Sequence, residues 1–191
     1  MARPAEPGRT ALLEAGRRLL RAADGPGINK LSANAVVAEA SMSKGAFFHH
    51  FPTRRDYVRA LHAHFHEDFA VQLAAISTGS DPGRERLREG IRRYLDFCLE
   101  NGDTKSFLFE ARADADLADD VARSNRRFAH EMEDDLTVMG WRNVELLAPL
   151  VVAAIAETAL HEMSLGAASS ALRETLFDLI GIDEFARPSS S

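Results

Sequence analysis

Cysteine is almost absent: Cys98 is the only one in 191 residues. One thiol forms no intramolecular disulfide and supports no cysteine-rich zinc site. Long apolar runs are lacking too. No uninterrupted run approaches the ~18 residues of a membrane span. The opening MARPAEPGRT alternates charged and apolar residues where a signal peptide would carry an apolar core. These absences point to a soluble, cytoplasmic chain.

Catalytic signatures are missing as well. There is no G-x-S-x-G elbow and no phosphate loop, and GPGINK shares only its first three letters with a dinucleotide-binding turn. His-Glu occurs in HEDFA, HEMED and HEMSL, but none carries the second histidine of a zinc protease. His62, His64 and His66 in HAHFH look more like ligands. On a helix His62 and His66 share a face while His64 points away, and a pair without a third ligand is a weak site. A solvated helix flank is the expectation there. Neither an enzyme, nor a cofactor, nor a bound metal is expected.

The chain does have enough apolar residues for a core, at 46%. Its charge is unevenly spread. Residues 1–55 hold nine Lys/Arg against four Asp/Glu, whereas residues 56–191 hold 14 against 25. A basic head on an acidic body suits a chain that meets a polyanion at one end.

Helical periodicity runs nearly throughout, and no segment alternates as a strand does. The class expected is all-α, with about nine helices. Leu12, Leu13, Gly16, Leu19, Leu20 and Ala23 form the inner face of a first helix, closed by DGPG at 24–27. Ser32 caps a short second helix and Ser43 a short third one. Pro52 ends the third, and Thr53 with Asp56 makes a capping box for a long fourth helix striped by Tyr57, Leu61, Phe65 and Phe69. After the linker STGSDPG, Asp81 and Pro82 would supply the cap and first-turn proline of the next helix. Residues 144–165 are apolar nearly all round, as in a helix buried on more than one side, and Gly166 ends them. A last amphipathic helix follows, then a flexible tail.

The stretch SMSKGAFFHHF, residues 41–51, carries the functional reading. Two short capped helices joined by a three-residue turn have the dimensions of a helix-turn-helix, here residues 32–51. At ~100° per residue, Phe47 and Phe51 point inward while Gly45 and His49 point outward. Ala46 and Phe48 flank that strip, and the Lys44 stem is long enough to swing toward it. A narrow, uncluttered strip edged by a cation and two imidazoles fits the major groove of DNA.

The segment LSANAVVAEASMSKGAFFHHFPTRRDYVRAL resembles the DNA-binding region of TetR-family transcriptional regulators, whose pattern runs roughly T-x-x-x-I-A-x-x-A-G-V-S-K-G-x-L-Y-H-H-F-x-S-K-x-x-L. The match is close over residues 28–61, and the run from Lys44 to Arg54 is its most specific part. The resemblance implies base or phosphate contacts at Asn34, Lys44, Gly45, Ala46, His49 and His50, with Arg54 at the family's usual lysine position. Ser32, Ser43, Phe48 and Thr53 complete the candidate DNA-contacting set. Three positions depart from the pattern. Ser41 replaces the turn glycine, so the turn is either not left-handed or strained. Phe48 lacks the hydroxyl of the usual tyrosine, and Ala33 replaces a common hydroxyl residue.

The resemblance further implies a DNA-binding domain at 1–53, a ligand-binding and dimerisation domain at 54–185, and a tail at 186–191. A small-molecule effector would sit among body aromatics drawn from Phe65, Phe69, Phe97, Phe107, Phe109, Phe128 and Trp141. Phe65, Phe69, Phe107 and Phe128 are the chosen lining, with Glu157 and His161 as polar anchors. Those two could equally be a satisfied buried pair or face a dimer partner. Dimerisation is expected through residues 144–165 and 171–180. The function expected is a homodimeric, ligand-responsive repressor of a near-palindromic operator. An architectural or cell-cycle DNA-binding protein of the same fold, without effector, is the alternative; an enzyme is a remoter one.

Overall fold

A computed structural model describes residues 7–22, 31–111 and 115–182. Among these residues there are nine helices and no strand. They are α1 (Pro7–Arg21), α2 (Ala33–Glu39), α3 (Lys44–His50), α4 (Arg54–Gly79), α5 (Arg84–Glu100), α6 (Gly102–Ala111), α7 (Ala115–Val138), α8 (Val144–Leu165) and α9 (Ser170–Leu179). The all-α class read from periodicity is therefore the observed one. The turn at 24–27, Ala23 and the tail at 186–191 lie outside the described residues.

The chain divides into two compact units: Met1–Asp68 with Asn101–Val121, and Phe69–Glu100 with Ala122–Ser191. Two of the three boundaries fall inside helices, α4 and α7, and the third falls between α5 and α6.

In the first unit α1 packs against α2, α3 and α6. Its core holds Leu12, Leu13, Leu20, Leu31, Val36, Phe47, Phe51, Tyr57, Leu61 and Phe65. Arg17 is the buried cation of α1. It bonds Asp68 of α4, Glu14 at 3.2 Å, and the side-chain oxygen of Asn101, just ahead of α6, at 2.8 Å. A guanidinium that desolvated needs such a set of acceptors.

In the second unit α5 packs on α8, and α8 on α9. Glu162, fully buried on α8, binds Arg173 of α9 through both carboxylate oxygens at 2.8 Å and accepts the Ser169 N–H at 2.8 Å. Arg173 also pairs with Asp96 of α5 at 2.8 Å. Burial alone would raise the Glu162 carboxyl pKa; the Arg173 and Ser169 bonds outweigh it, and the net direction is down. Sequence reading passed over Glu162 in favour of its neighbours Glu157 and His161.

Two expectations are corrected here. The start of α5 is not capped by Asp81. The helix begins at Arg84, and the N–H of Gly83 is taken by Asp135 of α7 at 2.7 Å, which also binds Arg86 at 2.8 Å. A buried carboxylate reaching in from another helix has replaced the local cap. Second, α8 is long and apolar enough to cross a membrane by length and composition, and 33% of that stretch is buried inside the chain. Its inner face holds Ala148, Val151, Val152, Ile155, Ala159 and Glu162. Leu146, Leu150 and Leu165 stay exposed on the outside.

Candidate nucleic-acid interface

The second and third helices are set by local chemistry. Ser32 accepts a hydrogen bond from the Ala35 N–H at 3.2 Å and so caps α2; Ser43 accepts from Ala46 at 3.1 Å and caps α3. Between them Ser41 adopts φ 53°, the left-handed region that favours glycine. The turn is thus left-handed, and a Cβ is carried there at a cost. Around it the Met42 N–H donates to the Val37 carbonyl at 2.9 Å, which stops α2 and redirects the chain into α3.

An aromatic layer supports α3 from below. Phe47 lies 5.7 Å from Phe51 and 5.2 Å from Tyr57 between ring centroids, and Phe51 lies 5.1 Å from Tyr57. Tyr57 donates its buried hydroxyl to the Leu12 carbonyl of α1 at 2.9 Å. Gly16 makes room for that hydroxyl, since a Cβ there would stand 2.0 Å from it. The apolar pattern identifies Tyr57 as a core residue but carries no sign of this cross-helix bond.

With Phe47 facing in, the outward strip is open. Ser32, Asn34, Ser43, Lys44, Gly45, Phe48, His49, Thr53 and Arg54 are exposed, and Ala46 and His50 are half-buried. A Cβ added to Gly45 would meet only the Ser43 hydroxyl, at 3.8 Å, so nothing among the described residues covers that face. Phe48 is 44% exposed, a large apolar ring left in water beside His49. His50 is turned toward the start of α1, where a Cβ on Gly8 would come within 2.9 Å of its Nε2. Arg54 donates from Nε to the Leu31 carbonyl at 3.2 Å. The Thr53 hydroxyl donates to Asp56 at 2.7 Å, and the Asp56 N–H returns a bond to that hydroxyl at 3.1 Å, the capping box read from the sequence. Ser32, Ser43 and Thr53 thus spend hydroxyl capacity on helix starts. Lys44, Gly45 and His49 are presented along one edge.

Residues 12–61 match the family model described as bacterial regulatory proteins, tetR family. These residues carry the N-terminal segment of the TetR family. The helix-turn-helix of that segment is α2–α3. Solved TetR-type structures match nearly end to end. A TetR-like transcriptional regulator from Rhodococcus sp. RHA1 is 22% identical at a TM-score of 0.69, covering 94% of this chain and 96% of that one. A TetR-family transcriptional regulator from Rhodococcus sp. reaches a TM-score of 0.77 at 17% identity, with 93% and 98% covered. The multidrug binding protein EbrR, complexed with imidazole, is 22% identical at a TM-score of 0.71, with 92% and 96% covered. At such identities the likeness speaks for the fold. Comparison with curated proteins returned no match.

The residues expected at an effector site fall in both units. Phe65 and Phe107 are buried in the first unit, where the Lys105 ammonium lies 5.5 Å from the Phe65 ring. In the second unit Phe69 gathers Tyr94 at 5.0 Å, Phe97 at 5.6 Å and Phe128 at 5.7 Å. Glu157 and His161 are exposed on α8, so neither belongs to the core of the chain. Trp141 is exposed too, its indole N–H bonding the Ile180 carbonyl at 3.2 Å.

The histidines of α4 also differ from expectation. His62 and His66 are buried, not a solvated flank, and their Nε2 atoms lie 3.2 Å apart. Burial, helped by the Lys105 charge and opposed by Asp120, pushes the His62 pKa down to about 4. His64, on another face, meets Glu14 at 3.0 Å and Asp68 at 3.8 Å. Those three are the one cluster of three metal-type ligands among the described residues. Arg17 binds both carboxylates, so a guanidinium already stands where a cation would neutralise them.

Proposed function

We propose that this regulator is a homodimeric repressor whose N-terminal region, 1–53, reads a near-palindromic operator. In this reading a small apolar or amphipathic effector binds the body, 54–185, and lowers operator affinity. The observation that carries the DNA reading is the uncovered strip of α3, where Lys44, Gly45 and His49 are all exposed. Backbone at a glycine can approach base edges closely, and the cation and imidazole supply donors to base or phosphate.

Dimerisation is supported by the outer face of α8. Leu146, Leu150, Ala153, Glu157 and His161 recur at helical spacing, and all are exposed. Leu146 and Leu150 are each 67% exposed, as is Leu179 of α9. Apolar faces of that kind on two adjacent helices fit a four-helix contact with a second copy. Glu157 and His161 then belong to the interface. For the effector, the Phe69–Tyr94–Phe97–Phe128 cluster supports an apolar ligand. The relative EbrR is described as multidrug binding, which agrees with that class.

The test is selection of bound DNA from a random pool, followed by a salt titration of the selected site. A palindromic site with half-sites one turn apart, ~34–36 Å, and affinity falling steeply with salt is expected. Recovery of unrelated sequences at every salt concentration would leave an architectural DNA-binding role instead.

A further inference from the structure

We infer that His62 and His66 form a binding site for a divalent ion of the zinc, nickel or copper class, held between two imidazoles of α4. The placement follows from helix geometry. Residues four apart lie one above the other on a helix face, so both rings project the same way. Their Nε2 atoms face each other at 3.2 Å. Metal–imidazole bonds are about 2.0–2.1 Å long, and two such bonds to nitrogens this far apart subtend about 100°, between the octahedral and tetrahedral angles. The ring centroids are 4.5 Å apart with the planes steeply inclined.

Burial adds preorganisation. Both rings are held in place within the first unit, and little side-chain freedom remains to be lost on binding. The ion must displace the hydrogen bond between the two rings. The Lys105 charge acts on His62 against a cation and the Asp120 charge in favour of one. Nitrogen donors select borderline metals over magnesium or calcium, which seek oxygen. The neighbouring Glu14–His64–Asp68 cluster is the competing location, and Arg17 occupies it.

The experiment is a calorimetric titration of Ni(II) into the untagged full-length chain, into His62→Gln and His66→Gln, and into His64→Gln as control. Saturable binding of one ion per chain is expected in wild type and in His64→Gln. Affinity should fall by about tenfold or more in each of the other two variants. No saturable binding in wild type, unchanged binding in His62→Gln and His66→Gln, or loss in His64→Gln alone would each overturn the assignment. If a glutamine variant fails to fold, Cu(II) bound to the wild-type chain decides the matter. Its paramagnetic resonance spectrum must show splitting from two imidazole nitrogens, and a spectrum with one or none refutes the pair.

Discussion

The Tyr57 hydroxyl occupies the space that a side chain at position 16 would need. A Cβ on Gly16 would stand 2.0 Å from Oη and 3.1 Å from Cζ, while Oη donates to the Leu12 carbonyl at 2.9 Å. Helix α1 and the start of α4 are therefore keyed to each other directly beneath α3, whose Phe47 packs on the same ring. A buried, rigid phenol cannot swing aside as a lysine tip would.

Gly16→Ala should thus be destabilising although alanine is the better helix former. Overpacking of this kind costs about 1–3 kcal/mol. Tyr57→Phe alone should cost about 1 kcal/mol for the lost hydrogen bond. The double variant should recover part of the Gly16→Ala loss, because the clashing oxygen is gone. Urea denaturation of the four proteins measures this, and strictly additive losses would contradict it.

Gly45→Ala separates folding from DNA binding. The position is helical and uncovered, so alanine should stabilise the chain by about 0.5–1 kcal/mol. Operator affinity should nonetheless fall, since the added methyl stands between backbone and base edges. Thermal melting and a binding titration read the two effects independently; unchanged affinity would move the recognition strip off Gly45.

At Ser41 the expected sign is the opposite of an ordinary serine-to-glycine change. Its φ of 53° suits glycine, and Ser41→Gly should raise stability by up to about 1 kcal/mol. A melting temperature at or below wild type would show that the turn bears no strain.

The dimer reading predicts monomers for Leu150→Glu. Leu150 is 67% exposed in the single chain, so a charge there leaves the fold undisturbed and reaches only the partner. Leu176, by contrast, is buried within the chain, and charging it would report on folding. Sedimentation velocity at micromolar concentration tests this. A folded, dimeric Leu150→Glu protein would place the interface elsewhere.

Acid stability should depend on Glu162. Its carboxyl has a lower pKa folded than unfolded, so its contribution is present above the ordinary glutamate range and lost as pH falls through the folded value. Glu162→Gln should cost about 1.5–3 kcal/mol at neutral pH, the range of hydrogen bonds to charged groups, because Arg173 keeps Asp96. Its stability should also fall less steeply on acidification. Denaturation at a series of pH values compares the slopes.

What was legible in the sequence lies within a few residues of where it is read. The caps at Ser32 and Ser43, the box of Thr53 with Asp56, and the glycine stop after Leu165 are all contacts spanning three or four positions. The outward strip of α3 follows from 3.6-residue periodicity once Phe47 and Phe51 are taken as core. Local chemistry thus determined the helices, the helix-turn-helix and the candidate DNA-contacting edge. Tertiary structure decided what each side chain meets across the fold. Asp135, 52 positions from Gly83, took over its cap, and Glu162 found Arg173 on the next helix. His62 and His66 went into the interior, where a solvated flank was expected, because they adjoin the buried stripe of Leu61, Phe65 and Phe69 and histidine's own polarity does not say on which side of its edge it falls. Side-chain polarity sets a preference for water or core, but the partners that settle it for a histidine or a carboxylate come from other helices.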